Sequence, residues 1–272
     1  MPKNNTSTRI IVSFTFIPLV LAACYFGGIF FLLFVSIIGL VSFYEFAKMA
    51  EKKDAVPNII FGLLSVCALL LNAYFHYISY YVIFLVVTSL LVFFELFHNK
   101  GSAINNTSTT LFGILYTGLF SCSLVEIREL YSFSHLLYEQ GGYIIISLFI
   151  TIWACDSAAF FLGTAFGKHK LFPRVSPNKS WEGAIAGFVF SIITMAALKF
   201  LFIDFLNWFD IIILGIIVGT IGQLGDLIES LIKRDAGVKD SSTLLPGHGG
   251  IFDRFDSLLY TAPFVFLYLS AL

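Results

Sequence analysis

Charge is scarce in this chain. Asp, Glu, Lys and Arg make up 12% of its 272 residues, about half of the ~25% usual in soluble proteins. The net charge is −1, so no overall basic field exists to recruit nucleic acid. The four cysteines, Cys24, Cys67, Cys122 and Cys155, lie far apart without a Cys-x-x-Cys pair. That spacing excludes a zinc-ligand motif and gives no disulfide framework, so they read as buried free thiols. What abounds instead is apolar surface: 58% of residues are hydrophobic, 32 of them phenylalanine, and mean hydropathy is +0.90. A soluble domain of this size exposes too much surface to hide so much of it. Lipid must be the main solvent.

Apolar runs punctuated by polar clusters predict an all-α, polytopic membrane bundle of about nine helices: 10–25, 28–48, 57–74, 79–98, 109–127, 142–166, 180–202, 209–234 and 256–272. Each approaches the ~20 residues needed to cross a bilayer core. The run from Ile10 to Ala47 is too long for one span, about 57 Å at ~1.5 Å per residue. Gly27-Gly28 is its natural break. Leu21-Ala22-Ala23-Cys24 resembles a lipoprotein cleavage site. The chain continues as membrane helix rather than as a polar secreted domain, so a retained first helix is expected.

An odd number of spans with the N-terminus cytoplasmic places all but two of the 16 Lys and Arg residues inside; the exceptions are Arg128 and Lys199. This is the asymmetry of the positive-inside rule. Up to about residue 140 ionisable groups are few, and Glu45 and Glu95 near helix ends suit structural roles. Residues 141–272 form a second, polar-centred half, where Gly163/Gly167, Gly183/Gly187 and Gly215/Gly219 allow close helix approach.

The chemistry concentrates there. Asp226, Glu229, Ser230, Lys233 and Arg234 occupy positions i, i+3, i+4, i+7 and i+8 of the eighth helix, forming one face. An intramembrane carboxylate costs ~3 kcal/mol unless paired or hydrated, so an internal ion pair is the plain alternative to a site. Downstream, Lys239-Asp240 leads to Pro246-Gly247-His248-Gly249-Gly250 and then Asp253-Arg254-Phe255-Asp256. Such glycines permit an anion-binding nest of backbone N–H groups. Facing helix ends would bring Asp226 and Asp253 to one metal centre, with Asp256 a third candidate. Oxygen ligands without His or Cys favour a hard cation such as Mg2+, held jointly with substrate phosphates. Lys233, Arg234, Lys239 and Arg254 would neutralise a polyphosphate.

The loop before the seventh helix carries Gly167-Lys168-His169-Lys170, Arg174 and Ser176-Pro177-Asn178-Lys179-Ser180-Trp181-Glu182. Pro177 is a turn candidate and Ser180 an N-cap, whose helix would offer free N–H groups to a phosphate. Gly163 to Lys168 is not a P-loop, being one residue short and followed by His169. Asp156, among Trp153, Cys155 and Phe160, is functional by default as an intramembrane acid.

Ser230-x-x-Lys233-Arg234-x4-Lys239-Asp240 followed by Pro246-x-His248-Gly249-Gly250-x-x-Asp253-Arg254-x-Asp256 resembles the signature of the phosphatidate cytidylyltransferases, and Ser176 to Gly183 resembles their second landmark. The detailed likeness runs from Trp153 to Ser257, with Cys155-Asp156-Ser157-Ala158 standing where Ala-Asp-Thr-Gly is usual. The resemblance implies transfer of a cytidylyl group from CTP to phosphatidate, on a commonly dimeric all-helical fold in the cell membrane. Its active site would face the cytoplasm, with Mg2+ and room for a second metal ion. Asp226, Lys233, Lys239 and Asp253 would be catalytic. Lys233, Arg234, Lys239 and His248 would face the CTP phosphates, with Ser230, Asp240, Gly249, Gly250 and Arg254 completing that pocket. Ser176 and Lys179 could meet either substrate, with the phosphatidate phosphate favoured, and Ser180 is a further substrate-binding candidate. A CTP-dependent transferase acting on another lipid phosphate is a near alternative. An ion-coupled transporter is a distant one, because no inverted repeat is evident and the polar residues crowd one membrane face.

Overall fold

A computed structural model describes residues 17–132, 136–245 and 249–272. These residues form α1 (Ile17–Phe26), α2 (Gly28–Ala50), α3 (Ile59–Phe75), α4 (Tyr80–Phe97), α5 (Ala103–Arg128), α6 (Tyr138–Phe166), β1 (Lys170–Phe172), β2 (Ser176–Ser180), α7 (Trp181–Lys199), α8 (Trp208–Asp235) and α9 (Phe252–Leu269). Gly27 and Gly28, both at positive φ (65° and 55°), separate α1 from α2, as the length argument requires. Cys24 is fully buried. Among the described residues, six helices are long and apolar enough to cross a membrane: α2 with its following turn, α4, α5, α6, α7 and α8. Helix α1 has ten described residues and α3 has 17; the 18-residue α9 begins with Asp253, Arg254 and Asp256. This is a helical, multi-pass membrane protein.

The chain groups into two compact units, each drawn from separate stretches of sequence. One comprises residues up to 23, 27–126 and 235–255. Its core is built on Phe31, Val35, Ile38, Phe43, Val66, Leu70, Leu91 and Ile114. Polar groups close its helix ends. Asn58 accepts from the Phe61 N–H to start α3, and Asn106 Oδ1 accepts from Val56 N while its amide donates to Glu95 at 2.7 Å. Glu95 therefore has the structural role expected of it.

The other unit comprises residues 24–26, 127–234 and 256–272. Here α6 and α7 meet across glycine: a Cβ on Gly183 would lie 2.7 Å from the Ala159 carbonyl oxygen and 3.0 Å from Gly163 Cα. Gly215 and Gly219 of α8 likewise sit against Ile192 and Phe188 of α7. The glycine pairs thus act at helix contacts. The β1–β2 hairpin was not expected from a helical pattern. It pairs Lys170 with Ser180 and Phe172 with Ser176, the turn falling at residues 173–175 and Pro177 within the second strand. Helix α8 contains a π turn at Val218–Gly222. Gln223 steadies it by donating from Nε2 to both the Gly219 carbonyl, at 2.5 Å, and the Ala184 carbonyl of α7, at 3.0 Å.

The two cations assigned to the outer face are not loose charges. Arg128, fully buried, donates to the carbonyl oxygens of Cys24 at 2.8 Å, Tyr25 at 2.9 Å and Tyr138 at 3.1 Å. Its guanidinium also lies 4.2 Å from the Tyr138 ring centroid. Lys199, at the end of α7, donates to the carbonyls of Asp204 and Leu206. Both cations satisfy carbonyls in or beside helix ends, where positive charge is favoured.

Candidate active site

Helix α8 becomes strongly two-faced after its π turn, and its polar stripe begins at Asp226. One carboxylate oxygen from each of Asp226, Glu229 and Asp256 lies within 4.8 Å of the others. Asp226 and Glu229 are one turn apart on α8. Asp256 joins them from α9, and Gly225 allows that approach: a Cβ there would lie 2.7 Å from Tyr260 Cβ and 3.0 Å from the Asp256 carbonyl oxygen. Glu229 is fully buried and pairs with Lys233 Nζ at 2.5 Å. Ser230 Oγ donates to Asp226 Oδ1 at 3.4 Å.

The hairpin supplies the second cation. Lys179, on β2, places Nζ 2.5 Å from Asp226 Oδ2, both side chains about a third exposed (30% and 32%). Beside it Ser180 caps α7, its hydroxyl accepting from the Gly183 N–H at 3.2 Å. His169 Nδ1 meets Glu182 at 2.7 Å and so ties the hairpin base to α7. Arg234 Nε donates to the Val175 carbonyl at 3.4 Å. Asp156 of α6 interacts electrostatically with Asp226 and Lys179, which places that intramembrane acid in the same charged neighbourhood. Ser176 is half-buried at the start of β2.

Three carboxylates so close repel one another strongly unless positive charge is interposed. Lys179 and Lys233 provide some of it. The donor set also fits a hard divalent cation. Oxygens at ~2.1 Å from Mg2+ stand about 3–4.2 Å apart in an octahedron, and the three carboxylate oxygens here lie within 4.8 Å of one another.

The third expected ligand, Asp253, belongs to the other compact unit and finds its partners there. In the unit containing residues 235–255, Asp253 Oδ2 accepts from Ser241 N at 2.9 Å and Gly250 N at 2.8 Å, and Ser241 Oγ, 3.0 Å away, shares its one proton between this oxygen and Glu45. That oxygen is committed to its own loop, and Asp256 is the α9 carboxylate that stands with Asp226. Several backbone N–H groups at the end of the glycine loop hold protein anions. Those of Ile251 and Phe252 donate to Glu45 of α2 at 3.1 and 2.8 Å, and that of Gly250 to Asp253. Gly249 is at φ +84°, where a Cβ would fall 2.6 Å from Asp253 Oδ2. Lys239, Asp240 and Arg254 are exposed; His248 lies outside the described residues.

Three clustered carboxylates, two lysines paired with them and an adjoining capped helix make up the candidate site. A model of the cytidylyltransferase family matches residues 7–272. The chain belongs to this family. The match extends through the first half, where hydropathy alone had agreed. Among related cytidylyltransferases, the phosphatidate cytidylyltransferase of Staphylococcus haemolyticus is 32% identical over 265 residues, covering 96% of each chain. That of Staphylococcus aureus is 32% identical over 269 residues, again 96% of each. That of Haemophilus influenzae is 46% identical over 153 residues, 53% of this chain and 51% of its own.

Two features of this cytidylyltransferase escaped sequence reasoning. Glu229 was visible on the polar stripe, but nothing separated a ligand from a partner for Lys233. Glu45, some 200 positions from the loop it holds, carried no local signal at all.

Proposed function

We propose that the protein transfers the cytidylyl group of CTP to phosphatidate, forming CDP-diacylglycerol and releasing pyrophosphate. A phosphatidate oxygen attacks the α-phosphorus of CTP, a new P–O bond forms, and the bond to the β-phosphate oxygen breaks. The nucleophile is already an oxyanion, so no side-chain base is required. Catalysis then rests on alignment and on neutralising charge that moves towards pyrophosphate. The observation that carries this reading is the Asp226–Glu229–Asp256 cluster with Lys179 and Lys233 in contact with it.

Asp226, Glu229 and Asp256 would hold Mg2+, whose charge would offset that of the polyphosphate. Lys233 with Arg234, Lys239, Arg254 and His248 would meet the CTP phosphates. Lys179, with Ser176 beside it, would meet the phosphatidate phosphate. Asp253 is assigned to shaping the nucleotide loop rather than to the cation. One substrate is soluble and the other a lipid, so the site belongs at the membrane–cytosol boundary. The Lys and Arg partition favours nine spans, a cytoplasmic N-terminus and a cytoplasmic active-site face in the cell membrane. A homodimer is the assembly expected.

Purified protein in detergent should release pyrophosphate with CTP only when phosphatidate is present. Release that ignores phosphatidate, or that another nucleotide supports equally, would refute the assignment.

A further inference from the structure

Glu45 is 2% exposed, yet it keeps a carboxylate where an apolar side chain would fill the space at lower cost. Burying an ionised carboxylate costs several kcal/mol unless its lone pairs are satisfied. Here all four are. Oε1 accepts from Ser242 Oγ at 2.6 Å and Ile251 N at 3.1 Å; Oε2 accepts from Ser241 Oγ at 2.8 Å and Phe252 N at 2.8 Å. Two of these donors precede the glycine segment and two follow it, so one side chain on α2 clamps both ends of the loop. Ser241 carries the link onward, since its hydroxyl and N–H also contact Asp253. Gly250 is what allows the clamp to close, because a Cβ there would overlap Ser241 Oγ and both Glu45 oxygens. The N–H groups at the start of α9 favour an anion, and Glu45 is that anion.

We propose that Glu45 is a positioning residue for the nucleotide-binding loop, acting through Ser241 and Asp253 without touching CTP. This rests on the CTP-binding role given above to residues 239–254. It makes the first half of the chain part of the substrate site rather than a lipid anchor for it.

Glu45→Gln preserves size but turns one oxygen into an NH2 donor. A serine hydroxyl can rotate to accept from it, whereas the backbone N–H of Ile251 or Phe252 cannot. The loop should therefore loosen. In purified full-length protein, amide exchange of residues 249–253 should speed up at least ten-fold while the transmembrane helices stay protected. The KM for CTP should rise about ten-fold, with the phosphatidate KM within two-fold of the unmodified protein. If Glu45→Gln does not fold, Ser241→Ala removes the hydroxyl that joins Glu45 to Asp253 while keeping the backbone N–H bond to Asp253, and should give the same split at about half the logarithmic size. Unchanged loop exchange with an unchanged CTP KM would overturn the inference, as would equal rises in both KM values. The unmodified protein in the same preparation tests the functional reading separately. If it lacks CTP-dependent turnover, that reading fails, while the exchange measurement still decides whether Glu45 holds the loop.

Discussion

Lys179 and Asp226 are each other's nearest opposite charge in a site assigned to a cation and a lipid phosphate. Binding of either ligand would therefore compete with their contact. At 2.5 Å and about one-third exposure, the pair is stronger than a surface ion pair but still screened by water, and about 1 kcal/mol is a fair figure. Removing the lysine as Lys179→Ala should have opposite effects on the two ligands. Asp226 no longer gives up its lysine when a cation arrives, so Mn2+, used as a spectroscopic substitute for Mg2+, should bind about five-fold tighter. The lipid phosphate loses a charge-assisted hydrogen bond worth about 1.5–3 kcal/mol, so the phosphatidate KM should rise ten-fold or more. The KM for CTP should move much less. Mn2+ binding is read by electron paramagnetic resonance in detergent without substrates, and kinetics by varying each substrate separately in mixed micelles. Mn2+ affinity that is unchanged or weaker would refute the exchange of Lys179 between Asp226 and phosphate. A defect confined to CTP would reverse the division between the two substrates.

Asp226→Asn and Asp256→Asn should each abolish Mn2+ binding and turnover with little loss of folded protein; Asp253→Asn should retain Mn2+ binding while weakening CTP, and near-normal turnover in Asp226→Asn would return that carboxylate to a structural pair. Lys239→Ala should lower kcat as well as kcat/KM if its contact strengthens as charge moves to pyrophosphate, which steady-state kinetics can read. Gly183→Ala forces a methyl group against the Ala159 carbonyl and should cost about 1–3 kcal/mol, seen as a lower midpoint in thermal unfolding. Cysteines introduced at Leu136 and Thr243 should label from opposite sides of the membrane; labelling from the same side would refute the proposed topology.

The positions of the helices were legible because bilayer thickness demands long apolar runs and polar clusters must separate them. Gly27-Gly28 could be recognised as a break for the same reason. The hairpin at 170–180 was not legible, since strands of three and five residues are too short to show a sequence alternation. The π turn in α8 was equally hidden. A residue inserted into a helix shifts the periodic pattern by one position, so the apolar face of Trp208–Ile217 does not predict which side Asp226 takes. Within the site, local spacing sufficed for Asp226, Ser230 and Lys233, which share one helix. It did not tell Asp253 from Asp256, which both lie in the first turns of α9 but meet different partners: Ser241 and Gly250 for the first, Asp226 and Glu229 for the second.

The order in which the charged groups leave the ribosome gives the Glu229–Lys233 pair a further meaning. Lys179 is synthesised before any carboxylate of the cluster, so a cation is already in place when Asp226 enters the membrane. Glu229 and Lys233 follow four residues apart on the same helix and can neutralise each other inside that helix before another segment arrives. Asp256 comes last. Each of the three clustered carboxylates thus arrives beside or after a lysine rather than ahead of one. The nascent chain need never expose three unbalanced carboxylates to lipid, and the cluster outnumbers its two lysines only when the final helix is inserted.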